Sequence, residues 1–569
     1  MPEAPNETAA AEADPSIRRD QAFVAALVLA CLLPFLGKPI HLDDPMFLWI
    51  AQRIPAHPLR PLDFHLNWEG WSTPAHLIHF SPLAHSYFLA LVGAVLGWSE
   101  IALHLGMLLP ALAFALGVLS LARGLCAHPR LAALLAVATP AFLVSASTLM
   151  GDLPMLACWV WAVHFWRRGL LERRLAFLAA SGLLVTLAAL AKYFGLALLP
   201  LLAAYTLAHG RERGWRLVVR PLLALLLPAA LCLAYVKGMQ HAYRHDFLGF
   251  ASHYASSLRQ GSPWRRFDAL VAGLSFAGGC CLPLALWAPW NWRPRGAWVL
   301  AGTALALGAA VWVCQDRLDV VTRRGFGLER WDRVAHLFVF AGAGLHFFAL
   351  VLADLWKRRD ADAWLLALWA FGAFAFGAFL NWTINARALL PMLPALALLA
   401  VRRAEAREGF ANWPAWKRLG PLALGLALSL ALLWADFRWA ASARDAAREL
   451  TARHAAPGRE VWFHGHWGFQ WYMQAGGARP VDRGGSTLAP GDVLVVPKHN
   501  ASVYAPPEAG ARLIQVLEVP VSSGVSVAST RLGAGFYSDV WGALPFAFGA
   551  TDPDVYEVYQ LEEEVKFGE

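Results

Sequence analysis

Between Phe23 and Trp434 the chain returns thirteen times to an apolar run of 14 to 20 residues, a pattern that calls for lipid rather than for a soluble core. The runs are 23–36, 102–121, 131–149, 153–166, 175–190, 194–208, 217–235, 270–287, 297–313, 334–352, 364–380, 388–401 and 419–434. A helix needs about 20 apolar residues to cross roughly 30 Å of hydrocarbon, so the shorter runs need snorkelling flanks or neighbouring helices to cover them. Composition agrees: 58% of residues are hydrophobic, 15% are charged and the mean hydropathy is +0.45. The formal net charge of +8 sits mainly in short Lys/Arg clusters between the runs, which is a topology signal and not a nucleic-acid surface. Six of the seven cysteines lie in or beside apolar runs and the seventh, Cys126, lies in a basic turn, which argues against a disulfide framework.

Residues 1–20 read as a cytoplasmic tail, with Arg18-Arg19 holding the inner end of an uncleaved signal-anchor helix. The segment 82–97 is apolar too. Counting it as a crossing would place Arg167-Arg168, Arg173-Arg174, Arg211, Arg213 and Arg402-Arg403 outside, whereas reading it as an interfacial helix puts them all inside. The second reading gives a multi-pass protein of the inner (plasma) membrane, with residues 21–435 as the membrane domain and outer loops at 37–100, 237–267 and 315–333. The third loop carries Arg317, Arg323, Arg324, Arg330 and Arg333, against the positive-inside tendency; it marks either a misplaced helix or a site for an anionic ligand. Beyond Trp434 the character changes. Residues 440–569 mix short β-like runs (460–463, 493–496, 513–519) with Gly/Pro turns and a helix near 469–474, and read as a small extracytoplasmic α/β domain.

Charges placed where they are costly point to the chemistry. Asp43-Asp44 follows the first apolar run, and adjacent carboxylates at a membrane surface make sense as a base, or as a pair facing a cation or a hydroxyl donor. The alternative is a solvated loop, or a cap for a helix starting at Pro45. Asp152, in Gly151-Asp152-Leu153-Pro154, lies between two apolar runs at the same face, where a helix cap is again the alternative.

The ordered set is more specific than its parts. Asp43-Asp44 after the first helix, His79-Phe80-Ser81-Pro82-Leu83, Asp152-Leu153-Pro154, Leu190-Ala191-Lys192 and Asn385-Ala386-Arg387-Ala388-Leu389-Leu390-Pro391 follow one another across roughly the first 435 residues. In this order the chain resembles the GT-C superfamily of membrane glycosyltransferases, in the protein O-mannosyltransferase and aminoarabinose (lipid A) transferase branch. The resemblance implies an α-helical polytopic membrane protein of the GT-C fold, with about 13 transmembrane helices here. It implies an inverting transfer of a sugar from a polyprenyl-phosphate donor to a lipid, glycan or protein acceptor at the outer face. Asp43 would be the base, Asp44 would stand where the family often has Glu, and Asp152 would help to place the acceptor or the base. Lys192 and Arg387 would neutralise the leaving phosphate, unless they simply snorkel from helix ends; Arg323 and Arg324 are further donor-phosphate candidates. The chain departs from the aminoarabinose branch at Ser81, where its members carry Lys, and at Ala388, where Tyr often follows the Arg, so it is not read as a lipid A aminoarabinose transferase.

Histidines gather in the first two outer loops, and with Asp43 they offer ligands for a divalent cation, as some members of the superfamily use. His79 and His253 are the candidates, though no spacing forms a recognisable ligand set and ordinary interfacial polar residues are the alternative. Two rival functions remain. A secondary transporter would carry inverted repeats and mid-membrane charges, and a non-catalytic envelope-assembly protein would tolerate loss of the acids.

Overall fold

The computed structural model describes residues 15–259, 263–292, 294–313, 331–504, 510–521 and 523–567. Each of the thirteen apolar runs falls on a helix or on a broken pair of helices. Among the described residues six helical segments are long and apolar enough to cross a membrane, and two bent pairs bring the number to eight. The other apolar runs lie on helices that are shorter, interrupted or less uniformly apolar. Proline is one cause of the interruptions. Pro140 ends the helix Pro129–Val137 and opens Pro140–Ala146 at 61°, with Thr139 capping the second helix through Phe142 N at 3.3 Å. Leu175–Ala191, at 17 residues, is simply short. Ala84–Leu96, the segment read as interfacial, has 13 residues and rises about 20 Å, less than the hydrocarbon thickness.

The helices share one large core. Asp152–Glu172 lies against both Leu175–Ala191 and Glu100–Ala122, burying Leu153, Leu156, Val160, Val163 and Trp166. The final membrane helix, Ala415–His454, has 40 residues and is about 60 Å long, twice the hydrocarbon thickness. It carries the chain straight past the expected boundary near 435–440 and packs on the C-terminal domain.

That domain is built on a five-stranded sheet in the order Arg479–Pro480, Val461–Phe463, Val493–Pro497, Asp554–Leu561, Ala511–Val519. The first three strands pair in parallel and the last two antiparallel. Val493–Pro497 is buried on both faces, which its unbroken Val-Leu-Val-Val run dictates. The helix Trp467–Ala475 turns back toward the membrane domain. Gly468 sits so close to Ile40 that a Cβ there would lie 2.1 Å from the Ile40 carbonyl oxygen.

Candidate active site

Asp43 and Asp44 open the ten-residue helix Asp44–Arg53, with Pro45 in its first turn. Leu42, just before them, is held at φ +45°, a left-handed conformation that a branched side chain rarely adopts. The turn sends the two carboxylates in different directions. Asp44 points inward and is buried; its Oδ2 accepts from His41 N at 3.1 Å and its Oδ1 from Leu149 N at 2.9 Å. Asp44 thus staples the start of its helix to the chain just before Asp152. Burial pushes its carboxyl up to about 7, against the opposing pull of Lys38 and of those two amide bonds. Asp43 points the other way, into a cavity, and its side chain makes no capping hydrogen bond although it occupies the cap position.

The other predicted charges converge on that cavity. Asp152 is the first residue of Asp152–Glu172; Gly151 holds the cap position, and the carboxylate does not cap the helix. Lys192 pairs with Asp152 Oδ1. Arg387 reaches Asp152 Oδ2 at 3.6 Å through Nη1 and Asp43 Oδ2 at 3.5 Å through Nη2. The result is a row of alternating charge, Lys192, Asp152, Arg387, Asp43, drawn from four separate stretches of chain. Asp152 and Arg387 are 4% and 11% exposed, whereas Lys192 and Asp43 are 35% and 43% exposed, so the row is buried at its middle and opens at both ends.

Local structure fixes each cation. Lys192 stands at the end of Leu175–Ala191, where Gly195 packs so tightly on the helix end that a Cβ would lie 2.3 Å from the Ala188 carbonyl carbon. Arg387 rides on the short helix Ala386–Leu389, capped by Asn385 Oδ1, which accepts from Ala388 N at 2.7 Å. Snorkelling does not describe Arg387, whose side chain is 11% exposed.

The cavity has a volume of about 1900 Å³, and Asp43, Asp152, Lys192, Arg387 and His79 all line it. Its walls differ in chemistry. Phe194, Phe376, Phe379 and Leu380 form an apolar end, with Phe194 stacked on Phe376 at 3.9 Å. Trp68, Glu69, Thr73, His466, Ser502 and Tyr504, from the first loop and the C-terminal domain, form a polar and aromatic end.

Several expected residues stand elsewhere. Asp44 does not line the cavity. His253 is exposed on the helix Phe247–Arg259 and does not line it either. His79 does, but it is buried against Phe47, and burial lowers its imidazole to about 4, so it is neutral at ordinary pH. Among the described residues no three His, Cys, Asp or Glu side chains converge on a point that would hold a metal ion. Arg323 and Arg324 lie outside the described residues.

A second set of charges lies behind the row, outside what the motifs predict. Lys38 is fully buried, pairs with the equally buried Asp436 and donates to Ser147 Oγ at 3.1 Å. Tyr537 donates its hydroxyl to Asp436 Oδ2 at 2.8 Å, and its ring lies 5.6 Å from the Arg387 guanidinium. Asp436 had a signal, an acid set in Leu-Leu-Trp-Ala-Asp-Phe-Arg-Trp at the end of the last apolar run. Tyr537 had none.

The fold is that of a polytopic helical membrane protein of the GT-C type with a C-terminal α/β domain. Residues 81–236, which include Asp152 and Lys192, match the family described as dolichyl-phosphate-mannose-protein mannosyltransferase. The fold is similar to that of ArnT from Cupriavidus metallidurans bound to undecaprenyl phosphate, with a TM-score of 0.53 at 15% identity over 83% of this chain and 92% of that one. The apo state of the same protein matches at a TM-score of 0.42, 18% identity and 81% and 85% coverage. Arabinofuranosyltransferase AftD from Mycobacteria matches at 0.38 and 16% identity, over 96% of this chain and 40% of that one. No curated protein sequence matches the chain.

Proposed function

We propose that the chain is a membrane glycosyltransferase that moves a sugar from a polyprenyl-phosphate donor to a lipid, glycan or protein acceptor at the outer face of the membrane, with Asp43 as the base. The observation that carries this reading is the charge row in one cavity. Arg387 sits between Asp43 and Asp152, and Lys192 holds the other oxygen of Asp152. Two cations on either side of Asp152 suit a leaving phosphate, because fixed positive charge stabilises developing negative charge without reorganisation. The apolar end of the cavity suits the prenyl chain, and the polar end suits the acceptor. ArnT, whose fold is similar and whose structure carries undecaprenyl phosphate, supports a lipid phosphate as the donor's carrier.

In the reaction the acceptor oxygen attacks the anomeric carbon from the side opposite the phosphate. The C–O bond to phosphate breaks with inversion, polyprenyl phosphate leaves toward Lys192 and Arg387, and the acceptor proton passes to Asp43. Asp43 suits that task because it is the one acid of the row that reaches well into open cavity. Asp152, held between two cations, stays ionised and keeps both of them in place. Asp44 acts from behind as a positioning residue through its two backbone amide bonds.

The test is transfer of labelled sugar from polyprenyl-phosphate donors in membranes containing the wild-type chain, with Asp43→Asn alongside. Transfer that requires Asp43, in a variant that still inserts, is the expected outcome. Equal transfer by Asp43→Asn would remove Asp43 from the mechanism.

A further inference from the structure

Arg387 is held from two directions, and one of them belongs to the C-terminal domain. The backbone just before it, Thr383 to Ala386, is zipped to the segment Phe536 to Asp539. Ala386 N donates to Phe536 O at 2.9 Å, and Asp539 N donates to Ile384 O at 2.8 Å. Asp539 Oδ1 accepts from Thr383 Oγ1 at 2.5 Å and from Ile384 N at 3.1 Å, and the Thr383 and Ser538 hydroxyls meet at 2.7 Å. Between these pins Tyr537 turns its ring toward the Arg387 guanidinium and its hydroxyl toward Asp436, which Lys38 pairs from beyond. Phe536 and Tyr537 are buried, as are Thr383 and Ile384. These bonds on four consecutive residues fix the backbone that leads into Arg387, and the Tyr537 ring adds a direct contact with its guanidinium.

We infer that the 536–539 strap of the C-terminal domain is a working part of the membrane site, in which Tyr537 and Asp539 are positioning residues that set the Arg387 side chain for the donor phosphate. The inference rests on the donor reading above. An arginine on a four-residue helix has few restraints of its own, and its aliphatic stem would let the guanidinium collapse fully onto Asp152. The Tyr537 ring, an electron-rich surface, and the fixed path of 383–386 hold it between the two acids instead. The C-terminal domain and the membrane domain then form one catalytic unit, and a chain cut after Ala415–His454 would keep every predicted acid and still bind the phosphate poorly.

The experiment is binding of undecaprenyl phosphate to the purified full chain in nanodiscs, for wild type, Arg387→Ala, Tyr537→Ala, Asp539→Ala and each strap variant combined with Arg387→Ala. Tyr537→Ala is expected to weaken binding about tenfold, in line with loss of a buried cation–ring contact and a hydrogen bond. It is expected to add less than about twofold once Arg387 is gone, because coupled residues fail additivity. Equal losses in the two backgrounds would mean that the strap supports the fold alone, and would overturn the proposal, as would full binding by both strap variants. If Tyr537→Ala does not fold, Tyr537→Phe keeps the ring and drops only the Asp436 bond; a loss of about threefold confined to the Arg387 background is expected, and one of the same size in both backgrounds overturns the proposal. Wild type and Arg387→Ala binding the lipid equally would refute the donor reading itself, and the strap's role with it.

Discussion

Arg387→Gln removes the cation that stands between Asp43 and Asp152 while keeping a side chain of similar reach. Each of its two carboxylate contacts, at 3.5 and 3.6 Å, corresponds to about 4–5 kcal/mol of attraction at an effective dielectric of 20. Little of this appears as lost stability. Asp152 keeps Lys192, and Asp43, 43% exposed, is screened by water once released. The folding cost should therefore fall below the roughly 3–5 kcal/mol of breaking a fully buried pair. The chemical step loses more, because a preorganised donor to developing charge is worth about 3–4 kcal/mol, or 10²–10³-fold in kcat. Initial rates of labelled-sugar transfer at saturating donor, alongside thermal unfolding of the purified chain, separate the two effects. Arg387→Lys should recover part of the rate, since an ammonium restores the charge but not the two-pronged reach. A variant Arg387→Gln within threefold of wild-type kcat would refute the reasoning.

Asp44→Asn should remove a pH trend. The wild-type carboxyl is raised in the folded state to about 7 from an ordinary value near 3.8, so the contribution from its protonation is complete below pH 4 and is lost as the pH climbs through 7, by up to roughly 4 kcal/mol. Chemical denaturation of wild type and variant between pH 4 and 8 should show wild type losing ground to the neutral variant as pH rises; parallel profiles would contradict the buried placement. Lys38→Met leaves Asp436 buried without its cation and should cost about 3–5 kcal/mol, much of it restored by adding Asp436→Leu; a single variant as stable as wild type would show that the pair is not buried. A reporter fused after Trp434 should read extracytoplasmic, and a cytoplasmic signal would mean that the number of crossings is even.

Much of the site is legible in the sequence because charge beside hydrocarbon is costly and therefore conspicuous. Asp43, Asp152, Lys192 and Arg387 each stand at the end of an apolar run, and the order of their motifs suggested that they meet. Asp44 carries the same signal as Asp43, so the sequence predicts the same kind of role for both. What separates them is the left-handed Leu42, and no local pattern in His41-Leu42-Asp43-Asp44 announces it. Lys38 and Asp436 are 398 residues apart, and only the fold brings them together. In the C-terminal domain the β-like runs at 460–463, 493–496 and 513–519 fall on the strands Val461–Phe463, Val493–Pro497 and Ala511–Val519, whereas Asp554–Leu561 matches no such run: Asp554, Glu557 and Gln560 recur every third residue and break the alternation that marks a strand. The boundary near 440 follows a real change in composition, but the backbone ignores it, because Arg444, Asp445 and their neighbours continue the helix Ala415–His454 with a polar face in place of an apolar one.

The most direct test of the central claim is a density map of the chain in nanodiscs with undecaprenyl phosphate. The phosphate should lie within hydrogen-bonding reach of both Lys192 and Arg387, the prenyl chain along Phe194, Phe376 and Phe379, and Asp43 should be left facing open cavity. A phosphate seated away from both cations, or a prenyl chain that enters by the Trp68 and His466 side, would contradict the claim.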